Sequence, residues 1–518
     1  MRKLYMPKRA LLFCCALLPS LGSAQNNTKG ISYLTQIEIT KEKSLWFNTN
    51  NAAGLSLTPL NNFNEVSAKY IHNEGNFRLQ QEGRREENIC FNTNGALQLD
   101  GISLWGDFNF SNINTYDSRF NTMVINPLRD MPYYVADPVA SRWKQQHYNL
   151  SVKAASPIFW NRIGFGCEAD YTSQTGAKQN DPRANSYYYD IKIRPGFIVK
   201  LTDQHIIGVN ASYENMFERS APKNSNIQVD QPVFIMRGLG NYTPGMVGGD
   251  IGIFYYKSNK VGGAFQYGYH GDVELLLDAK YHYKVEDAYQ APTKPQRMGS
   301  TVQNFINGNV QLLFNGDFTN KVTLDYVSKN TDGIEFVQVL DNSFDVNRWI
   351  TIAQHVRSKY KLTAASAKYD LFRNNDRGYS WKAGFNAEYT KTDDEYILPK
   401  SAFQAENFYA AVNATKNFNV GTLSSLLVGL NLGYNTNIDG MYEYNGADPT
   451  SAVVEELYKR DLEFLTSDYV RAGLDISYSI GLSKKSVAVF LRGSCQYLKP
   501  TEGSLDRVQA VGTVGLTF

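Results

Sequence analysis

Apolar and polar residues alternate along the end of the chain, from Arg507 to the last residue, Phe518. Side chains of a β-strand point in turn to its two faces, so this pattern predicts a strand with one apolar face and one polar face. Val514, Leu516 and Phe518 share the apolar face. Such a strand suits a wall that has hydrocarbon on one side and water on the other.

Further stretches show the same alternation, each over about 10 to 16 residues. Strands of soluble proteins average about 5 or 6 residues, whereas a strand that crosses a membrane needs about 9 to 11. Leu276 and Leu427 break the pattern, because each puts an apolar side chain on the polar face. The stretches are 271–287, 379–390, 425–435, 470–482 and 487–497.

The connections between these strands are of two kinds. Outer-membrane barrels have short turns at one rim and long loops at the other, which is the pattern here. The short connections are 374–378, 419–421 and 483–485, and the long ones are 112–146, 174–185, 220–249, 290–300 and 437–466. The charged second faces argue against a set of soluble β-sandwiches, whose inner faces must be apolar.

The predicted fold class is therefore all-β, a transmembrane antiparallel β-barrel of about 14–18 strands with a best estimate of about 16. The estimate is 16 rather than 18 because short segments such as 261–269 are interpreted as β-extensions outside the membrane. No plug domain precedes the first predicted strand, so we do not expect a TonB-dependent receptor.

The start of the chain predicts export. Basic residues precede an apolar stretch at 10–18, and small residues precede a cleavage site after Ala24, as in a secretory signal peptide. We divide the chain into a signal peptide at 1–24, an N-terminal segment at 25–61 and a barrel at 62–518. The predicted location is the outer membrane of a Gram-negative cell. The expected partners are outer-membrane lipid, the barrel-assembly machinery and, as a further candidate, another outer-membrane protein.

Composition agrees with this location. The 34 tyrosines and 28 phenylalanines suit the aromatic girdles that flank the apolar band of a membrane barrel. A net charge of only +2 gives no electrostatic footprint for nucleic acid.

Charged residues on the polar faces are predicted to line the lumen. A buried charge must be paired or hydrated, so they either line a wet channel or form a network that blocks it. No histidine accompanies a serine nucleophile and no metal-ligand spacing occurs, so we predict no enzyme, no catalytic site, no cofactor and no metal. The predicted lumen residues are Glu274, Asp278, Lys280, His282, Lys382, Glu388, Arg471, Asp475, Arg492 and Arg507.

Residues 46–55 (WFNTNNAAGL) are the most distinctive motif ahead of the predicted strands. They resemble the tryptophan and Asn-Pro-Ala-Gly-Leu stretch of fatty-acid-transporter (FadL) type barrels, with Ala52 in place of the proline. In those barrels the stretch lies inside the lumen as a hatch. The alternative here is a periplasmic turn that leads into the first strand. The resemblance implies a hatch role for Trp46, Asn51, Ala53, Gly54 and Leu55.

The whole chain also resembles an uncharacterised family of Bacteroidota outer-membrane β-barrels. The resemblance is carried by residues 46–55, 101–110 (GISLWGDFNF) and 236–240 (MRGLG). It implies a fold and a location but no activity. The last strand likewise resembles the signal by which such barrels are recognised for assembly, with Val514, Leu516 and Phe518 as its carriers.

Two functions from different classes fit these patterns. The first is a gated, porin-like channel for uptake of small solutes, hydrophobic ones included, which predicts a removable hatch and a continuous lumen. The second is a non-transporting accessory or surface-assembly barrel that docks a partner through its long loops. It predicts a blocked lumen and an exposed apolar patch within 112–146 or 220–249. Residues 131–136 and 234–236 carry the apolar side chains, and packing of the long loops on each other is the alternative for them.

Overall fold

The computed structural model describes residues 33–57, 60, 62–226, 228, 231–247, 251–291, 294–343, 347–482 and 487–518. The predicted signal peptide and the predicted turn at 483–485 lie outside these residues. Helix α1 spans Leu34–Lys43 and helix α2 spans Lys459–Leu465, with a π-helical turn before α2 at Val453–Tyr458 and 3-10 turns at Leu45–Asn48 and Ala52–Ser56. None of the described helices is both long and apolar enough to cross a membrane.

β-Strands make up most of the described chain. In order, they are β1 Phe63–Gly75, β2 Arg85–Leu99, β3 Ile102–Ser118, β4 Val135–Ala136, β5 Ser141–Ala155, β6 Ile163–Lys178, β7 Arg183–Lys200, β8 His205–Lys223, β9 Pro232–Gly238, β10 Asn241–Met246, β11 Phe254–Tyr269, β12 Val273–Gln290, β13 Gln296–Phe314, β14 Phe318–Asp341, β15 Arg348–Asn375, β16 Gly378–Tyr396, β17 Ser401–Asn419, β18 Ser424–Tyr444, β19 Tyr469–Leu482, β20 Val487–Pro500 and β21 Arg507–Thr517.

Within the described residues, eighteen of these strands form one sheet that closes on itself. Strand β1 pairs antiparallel with both β2 and β21, and the Asn64 N–H donates to the Phe518 carbonyl over 2.7 Å at the seam. Strands β4, β9 and β10 form a separate small sheet in the loops. The antiparallel barrel is thus confirmed, and the best estimate of 16 strands was two too low. Residues 261–269, interpreted as an extension, are the second half of barrel strand β11.

The outer face of the barrel is apolar and the inner face is polar, as the alternation predicted. Along β18 to β21, the outward side chains that are exposed include Leu430, Leu432, Leu474, Ile476, Leu491, Val514 and Leu516. Closing the sheet removes its edges, and exposed apolar side chains on the outside need a hydrocarbon surrounding to be stable.

The two rims differ. The short-turn rim carries Phe63, Phe518 and tight connections such as 100–101, 376–377 and 420–423. The long-loop rim carries the connections at 119–140, 224–253 and 445–468. Three predicted loops are shorter than expected, because β6 and β7 extend to within four residues of each other and strands also extend into 290–300 and 437–466. Strands β14 and β15, with 24 and 28 residues, are much longer than the roughly 9 to 11 residues that cross a membrane.

Candidate functional site

Residues 33–57 of the N-terminal segment contact the inside of the barrel at the short-turn rim. Lys153 of β5 donates to the carbonyl oxygens of Phe47 and Thr49, at 2.8 and 3.0 Å. On the opposite wall, Lys382 of β16 forms a salt bridge of 3.2 Å with Glu38. The segment therefore bridges opposite walls at this end of the lumen.

The five residues to which the resemblance assigned a hatch role, Trp46, Asn51, Ala53, Gly54 and Leu55, are all buried. Asn51 is fully enclosed, and its Nδ2 donates to the Phe197 carbonyl at 3.1 Å and to Gln266 Oε1 at 3.0 Å. Its Oδ1 accepts the Ala53 N–H at 3.2 Å, which closes the turn that follows. A buried amide stabilises the docked segment when its hydrogen bonds are made and costs free energy when they are not.

Glycines of the barrel wall make room for the segment. A β-carbon added at Gly208 of β8 or Gly268 of β11 would lie 2.8 or 2.9 Å from ring atoms of Trp46. A β-carbon at Gly166 of β6 or Gly196 of β7 would lie still closer to Ala53 or Asn51. We call Gly166, Gly196, Gly208 and Gly268 the glycine seat. The close fit follows from the absence of side chains at these inward positions.

The two residues that broke the alternation pack around this segment. Leu276 is buried in a cluster with Leu45 and Trp46, and Leu427 is buried in a cluster with Ile39. Tyr379 begins the predicted stretch 379–390, where alternation places it on the apolar outer face, but it is also buried in the cluster with Ile39. A β-bulge between Arg373 and Asn374 shifts the pairing of β15 with β16, which explains the reversed face.

Helix α1 is held by charges. Lys321 Nζ lies 2.7 Å from Glu42 Oε2, and the Tyr379 hydroxyl donates to Glu38 over 2.6 Å. Burial opposes the ionisation of Glu42, but the Lys321 ammonium holds the pKa of its carboxyl below the usual range. The helix starts at Leu34 and passes through Thr40. The sequence does not single out Glu38, Glu42 and Lys321, because no pattern distinguishes them from other charged residues.

The loops cover the long-loop rim. The Arg129 guanidinium pairs with the buried carboxylates of Glu218 and Glu286 on the inner wall. Tyr133, Val135 and Met236 are at most 2% exposed and share one apolar cluster. The apolar residues at 131–136 and 234–236 thus pack loop on loop, which confirms the alternative interpretation and leaves them no exposed patch.

Between the two rims, ion pairs connect the inward side chains of the wall from β5 to β12. Lys280 pairs with Asp278 at 3.0 Å, and Gln266 links Asp278 to Asn51. His282 and Asn50 of the N-terminal segment both line a cavity of about 120 Å³. Further pairs are Lys153–Glu168, Arg194–Glu168, Lys192–Asp190, Lys260–Glu214 and Lys284–Glu286.

The wall from β16 to β20 differs, although it too is polar. Glu388 and Arg471 line a cavity of about 160 Å³ together with Thr390, Tyr409, Asn435 and Tyr469. Asp475 and Arg492 follow on β19 and β20 and are exposed to the lumen. Among the described residues, none of these four charged groups has a salt-bridge partner.

The other predicted lumen residues lie near the rims. Glu274 accepts from Asn315 at 3.0 Å at the short-turn rim, and Arg507 lies 3.8 Å from Glu82 at the long-loop rim. Lys382 belongs to the contacts of α1 described above. No group of three or more metal-ligating side chains occurs in the part of the chain that the structure describes.

Solved structures with a related architecture are only remotely similar in sequence. BauA, the ferric preacinetobactin receptor from Acinetobacter baumannii, is 10% identical, with 88% of this chain and 80% of that chain covered and a TM-score of 0.41. The copper transporter OprC is 9% identical over the same shares, with a TM-score of 0.40. The ferric citrate transporter FecA is 7% identical, covers 88% and 78%, and has a TM-score of 0.38. None of these three is a barrel of the fatty-acid-transporter type.

No curated protein matches the chain. A family model, in contrast, matches most of the chain, and the match begins within the motif at 46–55. It spans residues 52–518 and confirms the prediction of a family without an established activity. The chain belongs to the family of unknown function DUF6850.

Proposed function

We propose that this protein is an outer-membrane barrel that carries small, water-soluble solutes through its lumen, with the N-terminal segment as a removable hatch. The observation that carries the proposal is the docking of residues 33–57 between opposite inner walls at the short-turn rim. A segment that belongs to no barrel strand can leave without breaking the sheet. The apolar outer face supports the location, because exposed leucines of this kind need lipid.

The lumen supports polar solutes over hydrophobic ones. Paired charges line one wall, and charges without a salt-bridge partner among the described residues line the other, so an apolar solute would lie against charged groups at a cost in free energy. The accessory function has less support, because the apolar loop residues that it requires on the surface, such as Tyr133 and Met236, are buried.

Single-channel conductance in planar bilayers tests the hatch. The refolded chain from residue 25 is compared with a variant that lacks 25–57, and each is also made with Arg129→Gln to loosen the loops at the other rim. The proposal is supported if the longer chain carries no current and the truncated chain carries a steady current, either with Arg129 or with Arg129→Gln in both chains. Silence in all four proteins contradicts a transport route. Equal current in all four means that the segment closes nothing.

A further inference from the structure

The charges of the lumen are arranged in two different ways. From β5 to β12, each acid of the network stands within salt-bridge distance of a lysine or arginine, as in the 3.0 Å pair of Asp278 and Lys280. From β16 to β20, Glu388, Arg471, Asp475 and Arg492 have no salt-bridge partner among the described residues. Opposite charges that do not pair with each other remain available to a solute.

The cavity beside Glu388 and Arg471 is built to stay open. Its volume is about 160 Å³, which is enough for a small solute. A β-carbon at Gly433 would lie 2.6 Å from Tyr409 Cζ, so the glycine lets the Tyr409 ring lie against the wall instead of across the cavity. Gln496 Oε1 accepts one N–H of Arg471 at 2.6 Å, which fixes the guanidinium in place and leaves its other donors unused by the described residues.

Asn435 also lines the cavity. Its Nδ2 donates to the Ser467 carbonyl at 3.1 Å, and this hydrogen bond orients the side-chain amide. The Oδ1 atom has no hydrogen-bond partner among the described residues. The cavity thus presents a free carboxylate, a fixed guanidinium and an oriented amide oxygen.

We infer that this cavity binds a zwitterionic solute, such as an amino acid or short peptide, with its ammonium group at Glu388 and its carboxylate at Arg471. Guanidinium and carboxylate pair through two parallel hydrogen bonds, and an ammonium group donates to carboxylate and amide oxygens. The inference rests on the proposed function, because it names the solute class for the same lumen. A neutral sugar would leave both charges unpaired, and a fatty acid would offer nothing to Glu388.

Isothermal titration of the full chain in detergent tests this assignment, with L-alanyl-L-alanine as the probe. The comparison ligands are the N-acetylated dipeptide, which lacks the ammonium group, the dipeptide amide, which lacks the carboxylate, and maltose. We expect the free dipeptide to bind about tenfold more tightly than either blocked form, since charge-assisted hydrogen bonds are about twice as strong as neutral ones. We expect no binding of maltose.

Matched variants assign the two ends of the ligand. Glu388→Gln should lower the affinity for the free dipeptide about tenfold and leave the affinity for the N-acetylated dipeptide unchanged. Arg471→Gln should also lower the affinity for the free dipeptide about tenfold, and it should leave the affinity for the dipeptide amide unchanged. Gln174→Ala, on the inner face of β6 across the barrel, is the control and should change nothing. Equal affinity for free and blocked dipeptides overturns the inference, as does binding of maltose that depends on Glu388.

The binding experiment and the conductance experiment can fail independently of each other. Current in the truncated barrel without dipeptide binding would refute the solute class and keep the hatch. Dipeptide binding in a barrel that never conducts would support the solute class and refute the transport route.

Discussion

At the scale of single residues, the close contact of the Trp46 ring with Gly208 and Gly268 of the glycine seat can be tested by substitution. Gly208→Val would place a side chain where the Trp46 ring lies, because even a β-carbon there would be 2.8 Å from the ring. Overpacking of this kind costs about 1–3 kcal/mol. We expect amide hydrogen exchange in residues 45–56 to accelerate at least tenfold while the barrel strands keep their protection.

Gly308→Val is the matched control. Gly308 also lies in the middle of a barrel strand, but nothing stands within 4 Å of a β-carbon there. If the control accelerates exchange in 45–56 as much as Gly208→Val does, the glycine seat does not hold the segment.

Residue patterns predicted the walls of the barrel but not what fills it. Alternation placed Asp278, Lys280 and Glu388 on the inner face, because period two follows from strand geometry alone. Leu276 and Leu427 are exceptions to the alternation, and both pack against the N-terminal segment, so an apolar residue on a polar face signals a packed partner. The glycine seat carried no such signal, because a glycine fits either face. A bulge cannot be read from alternation, so Tyr379 was assigned to the wrong face.

At the scale of elements, helix α1 is docked by charge and the following turns are docked by shape. The double substitution Glu38→Gln and Glu42→Gln removes the salt bridges to Lys382 and Lys321. We expect amide hydrogen exchange in α1 to accelerate about tenfold, because Lys321 keeps its charge in a partly buried site without the Glu42 carboxylate, and Lys382 keeps only Asp370, at 3.6 Å. Residues 45–56 should keep their protection. The measurement is amide hydrogen exchange of the intact barrel in detergent.

Lys43→Gln provides the comparison, since Lys43 lies on the same helix and forms no salt bridge with a described residue. It should leave exchange in α1 unchanged. Simultaneous loss of protection in α1 and in 45–56 after the double substitution would show that the segment is released as one unit, contrary to this prediction.

Helix α2 at the long-loop rim should respond to pH. Asp461 accepts the Gln80 N–H at 2.8 Å, and burial raises the pKa of its carboxyl to about 7 in spite of the nearby Arg78. An undocked helix would have an ordinary aspartate pKa of about 3.9. The docked state therefore holds a proton that the undocked state releases, so docking weakens as pH rises from about 4 to 7.

Hydrogen exchange of residues 453–465 at pH 5, 6 and 7, corrected for the intrinsic rate, should show an opening equilibrium that rises by up to about tenfold per pH unit. Asp461→Asn should remove this dependence. A pH dependence that persists in Asp461→Asn would assign the effect to another group, such as Glu82.

The strand count shows where prediction at this scale stops. Short turns such as 420–423 were located because polar residues interrupt the alternation. The predicted number of strands is too low because 261–269, a short segment by itself, is interpreted as a β-extension outside the membrane. The tertiary pairing of β11 with β8 and β12, over its whole length, decides that these residues form one strand.

At the scale of the whole molecule, the last residue completes the barrel, so the predicted assembly signal and the closing seam coincide. Phe518 exchanges backbone hydrogen bonds of 2.7 and 2.9 Å with Asn64, and its ring is 43% exposed on the outer face. Phe518→Ala keeps the backbone bonds and removes the ring. If the ring is read during assembly, we expect the folded fraction in outer membranes to fall several-fold, measured as heat-modifiable mobility on gels. Phe418→Ala is the control, because Phe418 is 46% exposed near the same rim on β17. An equal loss in both variants would show that any outward phenylalanine at this rim contributes to folding, and that the terminal position adds nothing.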